Sequence, residues 1–244
     1  GQTRFPSDYV AARAAFRAKA AEVKKKFPTS EIGFYKIPSK IDADLTTDHI
    51  FIPGSKKDRL VIITSGIHGA EAFAGHALQM LVMDRLIHAP ARPYGLLVVH
   101  ALNPYGFKYF RRTNENNVDL NRNFADAEEF KSTNAEYENL RHLLEPQYKA
   151  SGYSLARIGF FVNTGWINLT KGKKVLLGSL RGQYQFPKGI FFGGSETQPE
   201  VSGVEALIKR HADKVHSVYH IDLHTGFGAR GHLHFFGSNK MTNP

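Results

Sequence analysis

Apolar positions along this chain switch repeatedly between a helical and a strand rhythm. From Ser7 to Phe27 they recur near helical spacing in an alanine-rich segment. Ser7 or Asp8 is placed to cap its start and Pro28 lies just past its end, so a packing helix is predicted there. Glu31 to Ile37 and His49 to Ile52 are short strand-like runs, followed by a turn at Pro53-Gly54-Ser55, a rhythm that fits antiparallel pairing at a sheet edge. Leu60-Val61-Ile62-Ile63 is continuously apolar, as in a strand buried on both faces, and the strand is expected to reach Thr64. Helix-spaced residues then run from Ala72 through Leu78, Leu81, Val82 and Leu86, stopping before Pro90, and Leu96 to His100 is a second apolar strand.

The second half of the chain is less regular. Asn103-Pro104-Tyr105-Gly106 has the composition of a turn. The polar stretch from Lys108 to Asn123 has no clean period, and a segment of that kind inside a compact domain is more often functional than structural. Glu128 to Tyr148 is predicted helical, and a further helix is expected between Trp166 and Leu180. Phe186 to Gly194 sets aromatics among glycines, a loop that either lines a pocket or packs. Val201 to Lys214 is predicted as a helix and Val215 to Leu223 as a strand, delivering Asp222-Leu223-His224-Thr225-Gly226 to its carboxyl end.

Two of these strand ends carry chemistry. His68 and Glu71, in Thr64-Ser65-Gly66-Ile67-His68-Gly69-Ala70-Glu71, follow the strand at Leu60 and precede the helix at Ala72, the place where open α/β sheets bind their ligands. Imidazole nitrogen and carboxylate oxygen both suit zinc, which in catalytic sites takes three protein ligands and keeps a fourth position open. An isolated His-x-x-Glu is weak evidence, because a surface histidine and a first-turn glutamate at a helix N-terminus give the same pattern. His224 also ends an apolar strand, so it can share an ion with His68 if the two strands are neighbours. Asp222, two positions earlier, lies on the same face of that strand and offers a carboxylate nearby. His232 and His234 are competing ligands.

Composition narrows the alternatives. At 244 residues the chain can bury roughly 70–75% of its unfolded surface, and one domain over residues 1–244 is expected. There is no cysteine, so disulfides, thiolate metal sites and a cysteine nucleophile are excluded. No apolar run approaches the ~20 residues of a membrane span, and no signal-peptide core is present, so no membrane partner is expected and the cytoplasm is the expected compartment. The formal charge of +10 favours anionic partners. Lys24-Lys25-Lys26 and Lys171 to Lys174 are basic clusters without an aromatic-interleaved RNA-binding signature, so they are taken as solvated faces and no nucleic-acid partner is expected. Gly226-Phe227-Gly228-Ala229-Arg230-Gly231 matches a dinucleotide-binding pattern, but a helix should open on those glycines, and His232 to Phe236 is strand-like instead.

Taken in order, His-x-x-Glu after a strand, Asn-Pro-x-Gly, Arg112 followed by Val118-Asp119-Leu120-Asn121-Arg122-Asn123-Phe124, and Asp222-Leu223-His224-Thr225-Gly226 resemble the zinc carboxypeptidase superfamily. That superfamily includes carboxypeptidase A-like enzymes, aspartoacylases and succinylglutamate desuccinylases. Gly182-Gln183-Tyr184 and Phe191-Phe192-Gly193-Gly194 point to an uncharacterised bacterial branch of it, and the resemblance spans Leu60 to Gly226. It implies an α/β fold with a mixed, largely parallel twisted sheet flanked by helices on both faces, with the absence of the C-terminal part as one option. It also implies one Zn2+ held by His68, Glu71 and His224, with Asp119 accepting from the far nitrogen of His68. Asn121 and Arg122 would grip a substrate carboxylate and Arg112 would polarise the scissile carbonyl, which suits a guanidinium fork and a developing oxyanion. Without the resemblance, Arg111, Arg112 and Arg122 read as solvated loop charges.

The implied activity is that of a zinc metallopeptidase or amidohydrolase acting on a peptide or small amide with a free carboxylate. The family's general base is a glutamate on a strand well downstream of the third ligand, and no glutamate follows Glu205 here. Glu115, Glu196 and Glu200 are candidates by elimination. Three readings stay open: a fragment, a base at an unusual position, or a zinc and peptide-carboxylate binding protein without turnover.

Overall fold

The computed structural model describes residues 5–145, 165, 173–226, 228, 229, 232, 234 and 235. In chain order the elements are α1 (Tyr9–Lys26), β1 (Glu31–Lys36), β2 (Thr46–Ile52), β3 (Arg59–Ser65), α2 (Ala72–His88), β4 (Gly95–His100), α3 (Pro104–Lys108), α4 (Ala135–Leu144), α5 (Lys173–Ser179), α6 (Pro199–Ala212) and β5 (Ser217–Leu223). The strands form one mixed sheet in the order β1-β2-β4-β3-β5. β1 pairs antiparallel with β2, and β2 with β4, whereas β3 runs parallel to both β4 and β5. The predicted antiparallel edge is therefore real, and it is fused to a parallel unit whose crossover from β3 to β4 is α2, as parallel neighbours require.

Alternation along the central strands sorts their side chains into two cores. Leu60 and Ile62 of β3 and Leu97 and Val99 of β4 pack under Val201, Val204 and Leu207 of α6. Ile63 of β3, with Leu96 and Val98 of β4, faces Phe16, Ala20 and Val23 of α1 and Met83 of α2. Both faces of the sheet are thus covered by helices, which is why Leu60 to Ile63 has no polar alternation in sequence. Each fully buried aliphatic side chain in these layers contributes roughly 1.5–3 kcal/mol. Asp8 caps α1, its Oδ1 accepting from Ala11 N at 2.8 Å, and Lys24, Lys25 and Lys26 close the helix at its negative end.

Three predicted elements differ in detail. Asn103-Pro104-Tyr105-Gly106 opens the short helix α3 instead of forming a plain turn: Asn103 Oδ1 accepts from Gly106 N at 2.7 Å and Pro104 occupies the first turn. An Asn-Pro pair serves equally well as N-cap and first helical residue. Of the helix expected from Glu128 to Tyr148, α4 is observed, preceded by a single 3-10 turn at Glu129–Lys131, because Asn134 caps a new start through Tyr137 N; 146–148 lie outside the described residues. Of the helix expected between Trp166 and Leu180, α5 is observed, and 166–172 lie outside the described residues. Among the described residues no helix is long and apolar enough to cross a membrane.

On the α1–α2 face, two buried histidines share one contact: His76 Nδ1 lies 3.0 Å from His100 Nε2, and Phe16 stacks on the His100 ring at 4.7 Å. Burial pushes both imidazoles down, His76 to about 4 and His100 well below its usual value. Both rings are neutral in the fold but charge near pH 6.5 when unfolded, so their contribution is present above that pH and is lost as pH falls toward about 4. The denaturant midpoint should drop through this window by an amount equivalent to roughly 3 kcal/mol for His76 alone. His76→Gln should flatten that part of the curve; an unchanged slope would place the acid sensitivity elsewhere.

Candidate metal centre

β3 ends at Ser65, and the chain turns through Gly66, whose φ of 72° lies in the left-handed region. Leu102 N and Asn103 N donate to Ser65 O and Gly66 O, each at 2.9 Å, so the loops after β3 and β4 are tied together. Gly69 then lies flat on α3: a Cβ added there would sit 2.0 Å from the carbonyl carbon of Gly106 and 2.2 Å from Phe107 N. Only glycine permits that approach. Ala70 N donates to Arg111 O and Glu71 N to His68 O, both at 3.0 Å, which sets His68 and Glu71 on one rigid turn.

The pairing of β3 with β5 places Thr64 opposite Asp222 and Ser65 opposite Leu223, so His224 leaves the sheet next to that turn. The His68 and His224 rings meet edge to face, with centroids 5.0 Å apart. One ligand atom from each of His68, Glu71 and His224 falls within 4.8 Å of the others, and this is the one such group of three among the described residues. His68 Nδ1 lies 3.0 Å from Glu71 Oε1, and His224 Nδ1 lies 3.4 Å from Glu71 Oε2, which also accepts from Thr225 N. His232 and His234, the competing ligands, stand outside the group.

Each histidine is braced on its far side by a carboxylate. His68 Nε2 lies 3.1 Å from Asp119 Oδ1, and His224 Nε2 lies 2.5 Å from Asp222 Oδ2. Asp119 is fully enclosed: Arg112 donates to its Oδ2 through Nε and a terminal nitrogen, both at 3.0 Å, and Asn121 N donates to Oδ1. Burial works against its ionisation, but the His68 bond and the Arg112 charge outweigh it and hold the carboxyl at about 2. Burial likewise opposes ionisation of Glu71, which His224 and His68 nevertheless hold far below the usual carboxylate range. Asp222 and Glu71 together raise His224 to about 9. His68 is also raised, because Asp119 and Glu71 overcome its desolvation.

This donor set fits a zinc-like cation. Carboxylates accept hydrogen bonds and cannot donate them when ionised, so Asp119 and Asp222 take the Nε2 protons and leave both Nδ1 atoms as the inward-facing ligands. Two bare imidazole nitrogens directed at a carboxylate repel it unless a proton or a cation lies between them. Asp222 and Glu71 raise His224, and Asp119 and Glu71 raise His68, so positive charge is favoured between these groups, a need that a divalent ion would meet as well. Two imidazole nitrogens and one carboxylate oxygen are a donor set of the kind that a divalent cation such as zinc accepts.

The other expected residues surround this centre. Arg112, half exposed, is committed to Asp119 through two nitrogens, and its guanidinium sits 5.6 Å from the Phe191 ring centroid. Asp119 opens a 3-10 turn at Leu120–Arg122 that carries Asn121 and Arg122. Arg122 is wedged against Gly182, where a Cβ would come 2.7 Å from its Cδ, and its backbone carbonyl accepts from Tyr184 Oη at 2.7 Å. Asn121, Arg122, Arg181 and Tyr184 line a cleft of about 320 Å³, and the buried Arg122 Nε has no hydrogen-bond partner among the described residues.

Of the general-base candidates, Glu115 accepts from Lys40 N, and Glu200 is buried against Asn114 Nδ2. Glu196 is exposed, and its backbone carbonyl accepts from Asn123. None of the three is hydrogen-bonded to His68, Glu71 or His224. The glycine run 226–231 is described only in part, and no strand is found at His232, His234 or Phe235. Sequence reasoning did not find Thr64 and His220 beside Asp222, because the register that joins them is a property of the folded sheet.

Residues 5–244 match the family described as "Protein of unknown function (DUF2817)". No curated protein matches the chain. Among solved structures it is similar to bovine thrombin-activatable fibrinolysis inhibitor in complex with tick carboxypeptidase inhibitor, at 15% identity and a TM-score of 0.48 over 87% of this chain and 60% of that one. It is similar to a Tannerella forsythia glutaminyl cyclase at 12% identity and a TM-score of 0.30, covering 44% of each chain. A Zn-dependent exopeptidase from Parabacteroides distasonis matches at 11% identity and a TM-score of 0.34 over 90% of this chain and 77% of that one. The chain thus spans 60% and 44% of the lengths of the first two.

Proposed function

We propose that this chain, which belongs to the DUF2817 family, is a zinc-dependent metallopeptidase or amidohydrolase that removes a C-terminal residue or cleaves a small carboxylate-bearing amide. The observation that carries this reading is the convergence of His68, Glu71 and His224 within 4.8 Å, each imidazole backed by its own carboxylate. A zinc ion bound there supplies a Lewis acid for the amide carbonyl and an activated water at neutral pH. His68, Glu71 and His224 would hold it, and Asp119 and Asp222 would fix the orientation of the two rings.

Arg112 keeps one terminal nitrogen free of Asp119, and in this reading that nitrogen supports the carbonyl oxygen as charge develops on it. Arg122 and Asn121, on the turn that Asp119 opens, receive the substrate's free carboxylate in the adjoining cleft. Arg122 lines that cleft, and its guanidinium fork matches a carboxylate. Peptides or small amides with a free carboxylate are accordingly the partners, and nucleic acid is not.

The test is zinc analysis and turnover on chelator-stripped, zinc-reloaded protein. The expected result is about one zinc per chain, with cleavage of short peptides ending in a free carboxylate and none of the same peptides amidated. Arg122→Ala should raise KM about 10- to 100-fold, the worth of one charged hydrogen-bonded pair, while zinc content stays unchanged. Protein that takes up no zinc would remove the reading, and zinc uptake without turnover on any such peptide would reduce it to a binding protein.

A further inference from the structure

The second histidine ligand is held by a line of residues that crosses the sheet, and hydrogen-bond chemistry fixes the direction of every link. Thr64 is fully buried on β3 and has one O–H to give and two polar neighbours. Asp222 Oδ1 lies 2.6 Å away and His220 Nε2 lies 2.8 Å away. An ionised carboxylate only accepts, so the hydroxyl proton goes to Asp222. His220 Nε2 must then carry a hydrogen and donate it to the Thr64 oxygen. On the other side, Asp222 Oδ2 accepts from His224 Nε2 at 2.5 Å. As a metal ligand the imidazole is neutral and has one N–H, so with Nε2 committed to Asp222 the atom left to bind a cation is Nδ1, which faces Glu71.

The fold supplies this line through register. His220, Asp222 and His224 are two residues apart, so successive side chains fall on one face of β5, and parallel pairing sets Thr64 directly opposite Asp222. Asp119, behind His68, has a guanidinium and a backbone amide to hold it. Asp222 has neither among the described residues and relies on the Thr64 hydroxyl. We propose that Thr64, oriented by His220, is a positioning residue that holds Asp222 against His224 and so fixes the tautomer and aim of the third metal ligand. This rests on the metal reading above, and it assigns to Thr64, His220 and Asp222 a role in metal affinity beyond strand packing.

The experiment measures zinc affinity by chelator competition on the full chain. Thr64→Val keeps shape and removes the hydroxyl, and Thr64→Ser keeps the hydroxyl. The expected result is a loss of about 10- to 100-fold in zinc affinity for Thr64→Val and Asp222→Asn, the usual scale for groups behind a ligand histidine, with Thr64→Ser within about twofold of the parent. In zinc-loaded protein the Nε2 proton of His224, followed by nitrogen-15 NMR, should exchange faster in Thr64→Val than in Thr64→Ser, a difference that strand packing alone would not produce. Should Thr64→Val fold poorly, His220→Ala against His220→Gln decides the matter, since the glutamine amide can still donate to Thr64 and should bind zinc several-fold more tightly. Parent-like zinc binding by both Thr64→Val and Asp222→Asn, or by His220→Ala in the second comparison, would overturn this role while leaving the metal centre intact. A parent protein that binds no zinc would overturn both.

Discussion

Replacing His224 with alanine will take the bound zinc from about one equivalent to near zero under dialysis at micromolar metal, because a three-ligand catalytic set does not survive with two. His224 is the better of the two histidines for this test. Its side chain is 33% exposed, whereas that of His68 is 5% exposed, so truncating His224 opens no enclosed cavity. His68→Ala would also remove zinc, but it would leave Asp119 facing a void and confound metal loss with unfolding. The far-ultraviolet circular dichroism and thermal midpoint of metal-free His224→Ala should stay close to those of the metal-free parent. Zinc retained at parental stoichiometry in His224→Ala would mean that the ion sits elsewhere, and the proposed chemistry would lose its centre.

Asp119→Ala should produce the largest loss of stability of any single change at the site. That carboxylate is completely buried and accepts from Arg112, His68 and Asn121 N. Removing one partner of a fully buried charged pair typically costs about 3–5 kcal/mol, and because the half-exposed Arg112 can be rehydrated the loss here falls at the lower end of that range. Urea unfolding of the metal-free protein would show this as a lower midpoint at unchanged slope. Asp119→Asn should be milder, because the amide oxygen still accepts from one side. Zinc affinity should fall in both variants, as His68 loses the group that aims it. An Asp119→Ala protein as stable as the parent would show that the Arg112–Asp119–His68 chain is not part of what holds the loop together.

Much of this arrangement can be read before any fold is seen, and the reasons are physical. Leu60 to Ile63 identifies itself as a central strand because a parallel strand covered on both faces must be apolar at every position, and α1 and α6 do cover it. His68 and Glu71 follow from that strand, since its carboxyl end is where the chain must turn. The alternation Asp222, His224 is a property of any strand. What could not be read is whatever depends on which strands touch. The place of Thr64 opposite Asp222 and the burial of Asp119 are set by the order β4-β3-β5 and by the loop after β4, and the meeting of His68 with His224 enters the sequence reading only through the family resemblance, not through spacing. Asn103-Pro104 misleads because the same dipeptide begins turns and helices, and only the packing of Gly106 and Phe107 under Gly69 decides between them.

The outer strand β5 pairs on one side only among the described residues, and Val218, Tyr219 and Ile221 on it are exposed. Two ligands of the centre therefore stand on an anchored turn, and the third arrives from an edge strand of the sheet. An ion bound between them would clasp that strand to its neighbour. Fraying of β5 would in turn be the natural route by which the ion enters and leaves, so the lifetime of the bound metal and the mobility of the sheet's rim would be governed by one and the same opening motion.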